Sequence, residues 1–184
     1  VIACGYSMGG PVAQLLWRRH PAHVSGLVLS ATSASFIPGL QQRMMFVGMM
    51  ALAAGSTRTG QLMTQLPGGR RVPVGRGGVG KRPESMRRWG AAEMRRHDVR
   101  MVFEAGNAIA TFSSRRWIHE VDVPTTVMVT TKDRAVDPSQ QLKLALRIPH
   151  AEIHRYDEGH TSPVLASFGD AITDACLGVA ARIG

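Results

Sequence analysis

Short apolar runs alternate with longer helix-like stretches at both ends of this chain. Val1-Ile2-Ala3-Cys4 has the length and composition of a strand, and a helix is predicted near 9–20 with a second strand at 26–31. The pattern returns in the last third. Thr125-Thr126-Val127-Met128-Val129-Thr130 is a β-branched run, a helix is expected near 138–147, and Ala151 to Tyr156 alternates as a strand does. A final helix spans about 164–182. Strands alternating with helices in this order predict an α/β architecture, a mostly parallel sheet flanked by helices.

The middle of the chain reads differently. Met44, Met45, Phe46, Val47, Met49, Met50 and Leu52 fall in a predicted helix from about 40 to 54, with apolar residues around too much of it for one solvated face. A second helix is expected near 84–111, broken around His97-Asp98 and Gly106. Between them, 67–83 reads as a mobile Gly/Pro/Arg loop. Within it Gly75-Arg76-Gly77-Gly78-Val79-Gly80-Lys81 imitates a phosphate-binding loop. Arg82 stands where Ser or Thr would hold magnesium, and Pro73 interrupts any preceding strand, so that reading fails.

The junction of the first strand and helix carries chemistry. Gly5-Tyr6-Ser7-Met8-Gly9 is a G-x-S-x-G sequence between a strand and a helix, the setting in which a serine is held exposed on a strained turn. Glycines at 5 and 9 are expected to let strand and helix pass closely, with Gly10 adding slack. A carboxylate, Asp133, ends the third strand, and Glu158-Gly159-His160 follows the fourth. Functional groups gather beyond the carboxyl ends of strands in an open α/β sheet. The expected roles are Ser7 as nucleophile, His160 as base and Asp133 as the group orienting the imidazole, with the Met8 backbone N–H as an oxyanion donor. Asp137, four residues on in the same loop, and Asp157, which ends the next strand, compete for the acid role, and Asp133 is preferred because it terminates its strand directly.

These residues, Gly5 to Gly10, Asp133 and the Glu158-Gly159-His160 turn, resemble the α/β-hydrolase superfamily in its serine esterase and lipase-like branch. The resemblance covers residues 1–33 and about 117–184. It implies a hydrolase core at 1–33 and 117–184, with a mainly helical cap inserted at 34–116. It also implies a carboxyl-terminal portion of a longer hydrolase, because Val1 already lies in the nucleophile strand. The activity implied is cleavage of an ester-type bond in a small or medium apolar acyl substrate through an acyl-enzyme. Thioesterase, lactonase, perhydrolase and carbon–carbon hydrolase chemistry share the same triad. The rival from another class is a catalytically incomplete interaction module. Tyr6, Met45 and Met49 are the candidate substrate-binding residues, the methionines forming an adaptable acyl wall.

Composition narrows the partners. At 184 residues and 44% hydrophobic the chain is about one domain in size, and no apolar run reaches the length of a membrane span. Residues 58–100 hold eleven Arg or Lys against Glu84, Glu93 and Asp98, a local +8 of the formal +9. With Trp89 the one tryptophan there, and no ladder of aromatics to stack bases, this reads as a solvated cap surface, with anionic ligands and nucleic acid as lesser alternatives. No motif implies a metal or organic cofactor. Cys4 and Cys176 are read as separate, buried, reduced thiols at opposite ends of the architecture, which suits a cytoplasmic protein. His20 and His23 suit the end of the first helix, and His154 is expected to be exposed. Oligomeric state is not legible.

Overall fold

A computed structural model describes residues 1–36 and 99–183. The predicted helix at 40–54 with Met45 and Met49, the loop at 67–83 and almost all of the basic stretch lie outside those residues.

The described chain runs β1 (Ile2–Tyr6), α1 (Gly9–Arg19), β2 (Gly26–Ser30), α2 (Val99–Thr111), β3 (Thr125–Thr130), α3 (Pro138–Ala145), β4 (Glu152–Tyr156) and α4 (Ala166–Ala180). The strands form one parallel sheet in the order β1-β2-β3-β4. Every crossover therefore returns the chain to the same end, and all four carboxyl ends open on one side. Register is continuous across it, with Tyr6 beside Ser30, Ser30 beside Met128 and Thr130 beside Tyr156.

Burial explains which strands are central. All five residues of β2 and all six of β3 are buried, whereas β4 is largely exposed. Successive side chains point to opposite faces. Ala3, Leu27, Leu29, Val127 and Val129 meet Ala13 and Trp17 of α1 and Leu144 and Ala145 of α3. On the other face Val28 packs on Ala175 and Val179 of α4. Each fully buried Leu or Val contributes about 1.5–3 kcal/mol, so this double cover fixes the sheet between its helices.

Polar ties hold the layers in place. The Trp17 indole donates to Asp122 at 3.3 Å, and Arg18 pairs with Glu120 while lying over the Trp117 ring. Arg182, just beyond α4, donates to Thr126 Oγ1 at 2.7 Å and pairs with Glu152 at 3.2 Å. Gln14, fully buried in α1, accepts from Ser114 Oγ at 2.6 Å, and the Ser114 N–H donates to the Ala34 carbonyl at 2.9 Å.

The chain divides into two compact units, Val1–Pro38 with Thr111–Gly184, and Gly39–Ala110. Helix α2 supplies all that is described of the second. It runs unbroken through Gly106, where a break was expected, because a single glycine costs a helix interior only about 1 kcal/mol.

Three further expectations are corrected. Cys4 and Cys176 are not at opposite ends: α4 crosses the face that Cys4 presents and brings the Cys176 thiol beside it. Cys4 is exposed and not buried, and both cysteines are free thiols. His154 is partly buried, because its side of β4 is partly covered.

Candidate active site

The turn between β1 and α1 shows why the motif needs its glycines, and where the expectation was misplaced. A Cβ on Gly5 would sit 2.3 Å from the Gly9 carbonyl oxygen, and one on Gly10 would meet the Thr32 side chain at 2.1 Å. A Cβ on Gly9 would meet nothing within 4 Å. The close approach therefore falls on Gly5 and Gly10. Ser7 between them has φ 50°, a left-handed conformation that a serine holds only when its surroundings impose it. The constraint is visible: the Ser7 N–H is tied to the Ser30 carbonyl at 2.9 Å, and the Ser7 carbonyl accepts from Gly10 at 3.0 Å.

Ser7 Oγ lies 2.9 Å from His160 Nε2, and His160 Nδ1 lies 2.8 Å from Asp133 Oδ2. Three strand ends thus deliver the serine, the carboxylate and the imidazole to one line of contacts. The Asp133 side chain is wholly buried, and the imidazole is 26% exposed. Burial alone would raise the Asp133 carboxyl. Hydrogen bonds from the Val136 N–H, His160, the Ala135 N–H and Thr130 outweigh it and hold the group below the usual carboxylate range. An ionised Asp133 can only accept, so His160 Nδ1 carries the proton between them. In the neutral imidazole Nε2 is then a lone pair facing the serine hydroxyl.

The competing carboxylates are engaged elsewhere. Asp137 caps α3, accepting from the Ser139 N–H at 2.7 Å. Asp157 is exposed, accepts from Thr131 Oγ1 at 2.6 Å and pairs with Lys132 at 2.9 Å. The Met8 N–H, at the amino-terminal cap of α1, makes no hydrogen bond to a described residue and sits one residue from the hydroxyl.

Tyr6 is turned toward the histidine. Its hydroxyl donates to the His160 carbonyl oxygen and its ring lies 5.4 Å from the imidazole. Phe168 packs edge-on against both Tyr6 and Tyr156. Burial, then the charge of Asp133, pushes the Tyr6 phenol up to about 12, so it stays a donor.

Sequence reasoning missed the residues around the acid. Asp133 Oδ1 accepts from the Ala135 and Val136 N–H groups at 2.8 and 2.9 Å, a turn that a lone Asp at a strand end favours. Thr130 and Gln141 complete the shell and carried no signal, since an amide within a helix reads as solvated. Ser30, Thr32 and Ser162 bury hydroxyls that find no partner among the described residues. Two concavities formed by described residues lie away from Ser7. One, of about 260 Å³, is bounded by Val129, Leu142 and Ile153, and another, of about 690 Å³, by His119, Pro149 and Arg182. Among the described residues no three His, Cys, Asp or Glu side chains converge as a metal site requires, and no helix is long and apolar enough to cross a membrane.

A family model described as alpha/beta hydrolase fold matches residues 1–166. The chain belongs to the α/β-hydrolase fold family. This hydrolase-fold chain is 27% identical over 158 residues to a poly(3-hydroxyalkanoate) depolymerase of Ectopseudomonas oleovorans, covering 85% of the chain and 53% of the relative. It therefore spans about half the length of the curated relative it matches. Among solved structures, a hydrolase from Pseudomonas aeruginosa PA01 superposes with TM-score 0.67 at 23% identity, over 96% of this chain and 63% of that one. The enol-lactonase of Burkholderia xenovorans LB400 gives TM-score 0.62 at 21% identity, over 97% and 64%. At those identities the likeness is one of fold.

Proposed function

We propose that the full-length protein is a serine hydrolase that cleaves an ester-type bond in a small or medium apolar acyl substrate. Ser7 attacks the acyl carbon while His160 takes its proton, and the acyl-enzyme is resolved by water that the same imidazole deprotonates. Asp133 holds the imidazole and stabilises its charged form. The Met8 N–H faces the developing oxyanion, where one such donor is worth about 3 kcal/mol. The observation that carries this reading is the unbroken line from Ser7 Oγ through His160 to Asp133, at 2.9 and 2.8 Å.

A cofactor plays no part in this chemistry. Acyl transfer on this arrangement extends to thioesters, lactones, peracids and activated carbon–carbon bonds. The ester is favoured because the curated relative is named for the depolymerisation of a poly(3-hydroxyalkanoate), whose units are joined by ester linkages. Turnover of a chain-length series of p-nitrophenyl esters, matched thioesters and 3-hydroxyacyl oligoesters by the full-length protein separates these. Ser7→Ala should abolish turnover and labelling by a fluorophosphonate while the fold persists. Wild-type turnover in that variant would remove Ser7 from the mechanism.

A further inference from the structure

Asp133 is more heavily bonded than the orientation of one imidazole demands, and the excess is directional. Oδ1 is filled by the two backbone N–H groups of its own turn. Oδ2, the oxygen that faces His160, also accepts from Thr130 Oγ1 at 2.9 Å, with Gln141 Nε2 beside it at 3.3 Å. Thr130 and Gln141 are both fully buried. The Thr130 N–H donates to Gln141 Oε1 at 3.0 Å, which fixes the amide so that its nitrogen, the donor, turns inward. That nitrogen reaches the Val136 carbonyl at 2.8 Å and Thr130 Oγ1 at 2.9 Å. Having accepted from Gln141, the threonine hydroxyl has its single proton left to give. Gln141 Oε1 is within reach at 3.2 Å, but the charged carboxylate is closer and the stronger acceptor.

We propose that Thr130 and Gln141 are positioning residues that act through Asp133, forming a one-way chain of donors that pins the carboxylate oxygen facing His160. The inference rests on the reading of Ser7, His160 and Asp133 as the reacting set. The pair joins the end of β3 to α3, so the helix that covers the sheet also sets the azimuth of the acid. Without the hydroxyl, Oδ2 keeps its charge but loses the bond that fixes its direction, and the imidazole gains freedom to turn away from Ser7. Substrate contacts are untouched, since neither side chain reaches the surface.

The test uses the full-length protein and p-nitrophenyl butyrate. Thr130→Val, which keeps the shape and loses the hydroxyl, should lower kcat about tenfold with KM within about twofold, as a small misplacement of a catalytic group does. Thr130→Ser should restore kcat to within about twofold of wild type, because the donor is back. Gln141→Met should lower kcat in the same direction, and it carries the test if the valine variant does not fold. Wild-type kcat in Thr130→Val and Gln141→Met, or a loss in Thr130→Ser equal to that in Thr130→Val, would overturn the inference. If Ser7→Ala is inactive while these variants are not, only the positioning role falls. If Ser7→Ala is active, the reading beneath it falls too.

Discussion

The hydroxyl of Tyr6 donates to the carbonyl oxygen of His160, so the residue before the serine holds the residue that faces it. The bond joins the end of β1 to the turn after β4, opposite edges of the described sheet. Two strand ends that share no backbone pairing are thereby tied together across the mouth of the site.

That tie has a pH signature. The Tyr6 phenol is raised from 10.0 to about 12, by burial first and the Asp133 charge second. The folded protein therefore binds this proton more tightly than the unfolded chain does. Its contribution is full below pH 10 and is lost as pH rises toward 12. Denaturant midpoints across this window should fall less steeply in Tyr6→Phe than in the wild type. Parallel slopes would mean that Tyr6 ionises as an ordinary tyrosine.

The two glycines around Ser7 should respond oppositely to a methyl group. Gly5→Ala places a Cβ 2.3 Å from a backbone carbonyl and should destabilise by about 3 kcal/mol or more. Gly9→Ala meets open space at the first turn of α1 and should stabilise by about 0.5 kcal/mol. Thermal melts of the two variants decide it, and equal losses would contradict the described crossing.

Among the carboxylates, Asp133→Asn should cost the proposed ester turnover of the full-length protein about a thousandfold or more in kcat, through the wrong imidazole tautomer. Asp137→Asn should leave kcat within about twofold and shift stability by less than about 0.5 kcal/mol, since Asn caps a helix as well as Asp. The reverse ranking in steady-state kinetics would move the acid to Asp137.

Cys4 is exposed yet should be sluggish. Burial around its sulfur and the neighbouring Cys176 push the thiol up to about 11. Alkylation by iodoacetamide at about pH 8 should run on the order of a hundredfold slower than for free cysteine, because the thiolate is scarce. Cys176→Ala should quicken it. A Cys4 that reacts like free cysteine would refute the thiol contact.

Much of this was legible in the chain. Strands β2 and β3 fall within a residue of expectation because β-branched and apolar runs with no polar interruption have few other solutions in a parallel sheet. β1 extends further than its apolar run, through Gly5 and Tyr6, because pairing with Leu29 and Ser30 continues where hydrophobicity stops. That Ser7, His160 and Asp133 lie beside one another was foreshadowed by their places at element ends. Thr130 and Gln141 were not: each is polar, each reads as solvated, and only the fold turns them inward. The crossing of Cys4 with α4 was equally hidden, since it depends on which face the last helix covers.

The hydrogen bond between Ser114 and Ala34 has a consequence for descent as well as for folding. It sets side by side the two points where the polypeptide departs from the sheet and rejoins it, and Gln14 locks the pair onto α1. A stretch departing and returning through one doorway can be lengthened, trimmed or exchanged while the strands keep their alignment. Each doubling of its length costs only about 0.6 kcal/mol in closure entropy. Changes of length beyond the doorway thus leave the contacts among Ser7, His160 and Asp133 where they are.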